Sequence, residues 1–222
     1  MKTWLTDNLI DDPREQTTAA TDLLLAVGAY IAIWRLHGDP SWRWQVWQSA
    51  FGLLVGSIVL GSVVHGVRLS DASRERLWQP LNLLLGLMLA LFATGAISDR
   101  WGRRAGQRVL PLLVIAARGC VWLSRRVQRG FLPYHYFYEI PVMLTALMIY
   151  IDLARRRYFG ARNITIGILI TMLAAGIQTS SLALRIGKLP FDHNGLFHLV
   201  QLIAFPFLVE GVRAILAANP ES

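Results

Sequence analysis

Apolar runs near the length an α-helix needs to cross a bilayer recur along this chain, and little else about it constrains the fold so tightly. About 20 predominantly apolar residues suffice to span the hydrocarbon core. Such runs fall at about 19–36, 42–67, 78–97, 109–123, 131–153, 164–184 and 195–217. Polar punctuation separates them. Arg35-Leu36-His37-Gly38-Asp39-Pro40 stops the first, and Ser70 to Arg76 connects the second to the third. Ser98 to Arg104 turns the chain after the third, and Arg155-Arg156-Arg157 closes the fifth. The fourth run is the shortest and is interrupted by Arg118, so a six-span chain with a re-entrant fourth segment is the fallback. Pro133 lies near the start of the fifth run, and Pro141 predicts a kink within it.

Composition agrees. Of 222 residues 54% are hydrophobic and only 16% charged, against about 25% charged in soluble domains. Mean hydropathy is +0.42. The loops are too short for a soluble domain, so residues 1–222 read as one all-α polytopic membrane domain, a seven-transmembrane helix bundle. Met1 to Gln16 holds no apolar core of a signal peptide. The single cysteine, Cys120, leaves neither a disulfide nor a cysteine-ligated metal site within this chain. The net charge of +8 comes from arginines at segment ends, which anchor helices among lipid headgroups and imply membrane lipids, not nucleic acid, as partners. Lysine and arginine divide almost evenly between the two sides. The acidic N-terminal tail and the arginine-dense 99–108 and 155–162 loops favour an N-terminus outside.

With seven spans, polar residues gather at one face whatever the orientation. His65 closes span two; Asp71, Gln79 and Asn82 open span three; His135 and Glu139 open span five. Gln178, Ser180 and Ser181 close span six, Asp192, His193 and His198 open span seven, and Asp22 lies near the start of span one. Four of the five histidines are there, and only His37 is not. His65 and His198 fall within apolar helices, where an ionisable group marks a functional site by default. Imidazole nitrogens and carboxylates suit Zn2+, which takes three protein ligands and keeps a position for water in catalytic sites. His65, His193 and His198 are the candidate metal ligands, with a nearby carboxylate as base. Residues five apart on a straight helix point about 140° apart. His193 and His198 therefore share an ion only if His193 precedes the helix proper, with Asp192 or Asn194 as its cap.

Other readings stand beside this one. His193 can cap a helix or sit among headgroups, and His65 can bond a neighbouring backbone. A membrane histidine also serves as an axial ligand of haem or a chlorophyll-type pigment, which would make the chain a non-enzymatic integral subunit or scaffold. Tyr134-His135-Tyr136-Phe137-Tyr138 reads as an aromatic belt around an interfacial histidine. Arg118 pairs with Glu139 or another buried acid, or snorkels; Glu210 and Arg213 read as an ion pair on the last helix. Gly52, Gly56, Gly61 and Gly66 allow close helix approach in span two.

Seven spans, a histidine late in span two and paired histidines opening span seven resemble the CREST superfamily, which holds alkaline ceramidases, progestin/adiponectin-type receptors and Per-type GPI-lipid remodelling proteins. The resemblance implies a zinc site of three histidines and hydrolysis of an amide or ester in a lipid. It implies Asp71 or Asp192 as the base and Ser62 as the oxyanion donor. Three departures are visible. Gly61 stands where the family has a serine four residues before the histidine, Asp71 follows His65 by six, and His193 and His198 are five apart where the family has four.

Overall fold

The computed structural model describes residues 8–36, 40–126 and 134–218. His37 with its turn, Lys2 in the N-terminal tail, and Phe131 and Pro133 ahead of span five lie outside the described residues. Among the described residues seven helices are long and apolar enough to cross a membrane, the fifth together with the π-turn His135–Glu139 that opens it: α1 (Pro13–Arg35), α2 (Trp42–Gly66), α3 (Asp71–Trp101), α4 (Arg103–Arg126), α5 (Ile140–Arg155), α6 (Ala161–Gln178) and α7 (His193–Ala218). The chain is an all-α, multi-pass integral membrane protein. The helices begin where short acceptors can bind the first free N–H groups. Asp12 accepts from Arg14 N–H, Ser41 from Trp44, Ser70 from Ser73 and Asp192 from Gly195.

Neighbouring helices form a ring in the order α1, α2, α3, α5, α6, α7, closed by contact of α7 with α1. α4 lies outside it against α3 and the π-turn His135–Glu139 that leads into α5. The ring is apolar outside, and its largely apolar interior also holds a few buried polar side chains. Leu23, Leu24, Val27, Tyr30 and Trp34 of α1 are 53–66% exposed, while Thr18, Thr21, Asp22, Thr94, Asp99 and His198 are buried. Lipid is as apolar as leucine, so helices associate by close packing of small residues. Ala29, Ala96, Ala146, Ala161 and Ala204 are accordingly inaccessible. At the α6–α7 seam a Cβ on Gly211 would stand 2.5 Å from Ile164 Cγ1.

The structure refines the spans read from sequence. α4 is a full helix of 24 residues despite Pro111. Arg118 is exposed on it, and Glu139 pairs with His135 Nδ1 at 2.9 Å. The kink expected at Pro141 appears as the π-turn just before it, where Ile140 N–H reaches back to His135 C=O; proline's missing N–H makes the regular ladder impossible there. α3 starts at Asp71 and, at 31 residues, is about 46 Å long, so it projects beyond the hydrocarbon core. α6 ends at Gln178, short of the expected Leu184. The remainder forms an antiparallel hairpin, β1 (Leu184–Ile186) with β2 (Leu189–Phe191), turning at Gly187 with φ +63°. Gly56 and Gly66 do face close neighbours, Leu84 and Ala19, whereas Gly52 faces open space.

The face away from α1's start holds its own polar set. Arg43 Nε lies 3.1 Å from Asp99 Oδ1, and Tyr150 donates its hydroxyl to Asp99 Oδ2 at 2.8 Å. Arg100 binds Asp152 at 2.7 Å, and Arg213 binds Glu210 at 2.8 Å as expected.

Candidate functional site at the α1–α2–α7 junction

The first turns of α1 carry Thr17, Thr18, Thr21 and Asp22, all buried. Spacings of three and four put these side chains on neighbouring positions of one helix face. That face is turned toward α2 and α7, the two neighbours of α1 in the ring. Thr17 donates to Pro190 C=O at 2.6 Å and Thr18 to Asp192 Oδ1 at 2.9 Å. These bonds fix the depth at which α7 enters beside α1. His198, one and a half turns into α7, then meets Thr21 and Asp22: its Nδ1 is 3.0 Å from Thr21 Oγ1 and its Nε2 is 3.2 Å from Asp22 Oδ1.

The second histidine arrives from α2. Glu15 Oε2 holds His65 Nδ1 at 2.6 Å, and Trp78 packs edge-on against the ring at 5.7 Å between centroids. One turn earlier on the same face, Gly61 lies directly under the Asp22 carboxylate; a Cβ there would be 3.2 Å from Oδ2 and 3.4 Å from Oδ1. His65 follows Gly61 by one turn on the side of α2 turned toward α1. Asp22 Oδ2 is buried without a hydrogen-bond partner, which is costly for a carboxylate in so apolar a place.

The proton inventory of this cluster is informative. Thr21 Oγ1 lies 3.0 and 2.9 Å from the carbonyls of Thr17 and Thr18, which can take its one proton. When the oxygen accepts from His198, Nδ1 carries the ring proton and Nε2 presents a lone pair to Asp22; when it donates, Nε2 carries the proton and gives it to Asp22. In the first arrangement two acceptors face each other at 3.2 Å, and a cation fits between them.

Of the residues singled out by sequence, His198 meets Asp22, and His65 lies on the adjoining helix α2, one turn beyond the Gly61 that faces the same carboxylate. His193 does not join them. It is the first residue of α7, with Asp192 as the preceding cap residue, so the 140° divergence applies, and the charge it acts on is that of Asp192. Among the described residues, no three His, Cys, Asp or Glu side chains close around one metal position. Asp192 is a capping group. Burial pushes its carboxyl up, but bonds from Gly195 N–H and the Thr18 hydroxyl, with the neighbouring His193, carry it below the usual carboxylate range. Asp71 is exposed in the first turn of α3. The Ser62 hydroxyl donates to Ala19 C=O at 3.2 Å and ties α2 to α1. Sequence reasoning passed over Glu15 and Thr21, although the run Thr17-Thr18-Ala19-Ala20-Thr21-Asp22 is an unusually polar opening for a membrane span.

Searches of curated proteins and of solved structures gave no match. One family model matches residues 17–217, from the first buried threonine to the end of α7, and by that match the chain belongs to the family of unknown function DUF6962.

Proposed function

We propose that this chain is an intramembrane hydrolase of a lipid amide or ester, with Zn2+ taken up between Asp22 and His198 and His65 drawing in from α2 as the third ligand. The observation that carries the reading is the unshared edge between His198 Nε2 and Asp22 Oδ1. Zinc bonds of 2.0–2.1 Å at the tetrahedral angle place two ligands about 3.3 Å apart, close to the 3.2 Å found. The outer contacts fit the same chemistry. Metal-binding histidines are oriented through their other ring nitrogen by a carboxylate or similar acceptor. Glu15 does this for His65, and Thr21 for His198. When bound, zinc supplies Lewis-acid polarisation of a carbonyl and acidifies water to near neutrality.

The chain's own residues do the rest. Glu15 and Thr21 fix which imidazole nitrogens face the cluster. Trp78 and Phe197 cover His65 and His198 with aromatic edges, at 5.7 and 5.2 Å between centroids, and keep bulk water from them. Gly61, with no side chain, leaves the Asp22 carboxylate room to shift. A substrate would reach the cluster sideways from the bilayer, near the leaflet where α1 begins. The CREST resemblance supports the reaction class. It differs in its third ligand, which we assign to Asp22 of α1 in place of His193. We place the N-terminus outside, on the strength of the arginine-dense loops at 99–108 and 155–162.

Elemental analysis by mass spectrometry on the detergent-purified chain tests the assignment. About one zinc per chain is expected in the wild type and in His193→Ala, and little in Asp22→Asn, His65→Ala or His198→Ala. Hydrolysis of lipid esters or amides should follow the metal. Zinc retained in Asp22→Asn but lost in His193→Ala would restore the three-histidine set and overturn ours.

A further inference from the structure

Beside the cluster, between the start of α1 and the hairpin, lies an open pocket of ≈ 460 Å³ lined by Asp12, Arg14, Leu184, Arg185, Pro190 and Phe191. Its charge is unbalanced. The Asp12 carboxylate is taken up capping α1 through Arg14 N–H. The neighbouring acids are engaged elsewhere, Asp11 with Arg68 and Glu15 with His65. Among the described residues, neither the Arg14 nor the Arg185 guanidinium has a carboxylate partner. The pocket at the opposite face differs, because its arginine, Arg100, is already bound to Asp152.

The hairpin wall is built for an interface. Leu184, Ile186 and Leu189 are 49–56% exposed, and Arg185 and Lys188 interleave with them. Apolar side chains beside cations suit the boundary between acyl chains and phosphate. The pocket is also coupled to the cluster, since Thr17 binds Pro190 of its wall and Thr18 binds Asp192 just behind. Arg14, Thr18 and Asp22 follow at intervals of four on α1. Eight residues of helix rise about 12 Å, so a headgroup at Arg14 would leave the glycerol-linked carbonyls one step deeper, toward Asp22.

We propose that this pocket binds the phosphate of a phosphorylated lipid, held by the guanidinium groups of Arg14 and Arg185 with the hairpin as its wall. The inference rests on the hydrolase reading for what happens at the deeper end, but the binding itself does not. A planar guanidinium matches a phosphate with two parallel hydrogen bonds, which sets arginine apart from lysine here.

The test measures binding to the purified full-length chain in detergent. The probe is dioctanoyl phosphatidic acid, with dioctanoylglycerol and inorganic phosphate as the two controls. Replacing either guanidinium, in Arg14→Gln or Arg185→Gln, should weaken phosphatidic acid binding about tenfold. Arg213→Gln, on the far face, should leave it unchanged. Binding in the double variant within about twofold of wild type would overturn the proposal. So would equal affinity of the wild type for dioctanoylglycerol. Inorganic phosphate that competes as well as the lipid at equal concentration would assign the pocket to free phosphate and overturn the lipid. Asp22→Asn separates the two readings: its phosphatidic acid binding should survive while hydrolysis is lost. A wild type with no hydrolysis but arginine-dependent binding would remove the hydrolase and keep the pocket.

Discussion

Gly61 offers a way to ask whether the Asp22 carboxylate is open to an incoming group. Alanine there places a methyl 3.2 Å from Oδ2 and 3.4 Å from Oδ1, so the carboxylate must give by a few tenths of an ångström. Against that, glycine-to-alanine within a helix gains roughly 0.5–1 kcal/mol. Crowding a carboxylate that is already buried and unpaired with an added methyl costs on the order of 1–3 kcal/mol. The net for Gly61→Ala is a loss of up to about 2 kcal/mol. Serine differs by one hydroxyl, which comes within reach of Oδ2 and supplies the missing donor, worth about 1–2 kcal/mol net. Gly61→Ser should therefore melt above Gly61→Ala by several degrees, since 1 kcal/mol corresponds to about 2–4 °C at this chain length. Intrinsic tryptophan fluorescence follows the transition, Trp47 being fully buried. Both variants should also hold less zinc than the wild type, because each crowds the Asp22 carboxylate and limits its movement. Equal melting of the two variants, with wild-type zinc in both, would refute the idea that Oδ2 is an uncommitted ligand.

Two further expectations concern other parts of the molecule. Arg43→Gln should destabilise by about 3–5 kcal/mol, because it strands the Asp99 carboxylate inside the ring; Tyr150→Phe should cost only about 1–2 kcal/mol, and thermal melts of the two would separate them. Asp192 has its carboxyl held low in the folded chain, so its contribution is fully present above the unfolded value of about 3.9 and fades as pH falls through the folded value. The melting difference between wild type and Asp192→Asn should be flat above about pH 5 and should shrink below about pH 4.

The membrane architecture was legible because a spanning helix has to satisfy its backbone within itself and be apolar for its whole length. Even the weak fourth run proved a complete helix; its Arg118 is exposed on the half of α4 nearer Arg126, where the long side chain can snorkel to the headgroups. The hairpin was not read, although Leu184-Arg185-Ile186 and Leu189-Pro190-Phe191 flank a two-residue Gly187-Lys188 turn, a usable hairpin signal. Apolar content alone had carried span six through it. At the site, depth in the bilayer singled out His65 and His198 correctly as residues that need partners. Which partners they have depends on α1 lying between α2 and α7. Nothing in the local sequence of α7 says that its neighbour is the first helix, so Asp22 stayed one polar residue among many, without its contact to His198.

Closure of the ring by the first and last helices also has a consequence for biosynthesis. Thr21 and His198 are 177 residues apart in sequence. At 5–20 residues per second, a nascent chain waits about 10–35 s between making one and making the other. Through that interval α1 stands in the bilayer with a carboxylate and three threonines on a face that α2 covers only in part. The chain is thus committed to the membrane long before it has anything to answer Asp22. Only when α7 packs against α1 does His198 reach that carboxylate and close the ring.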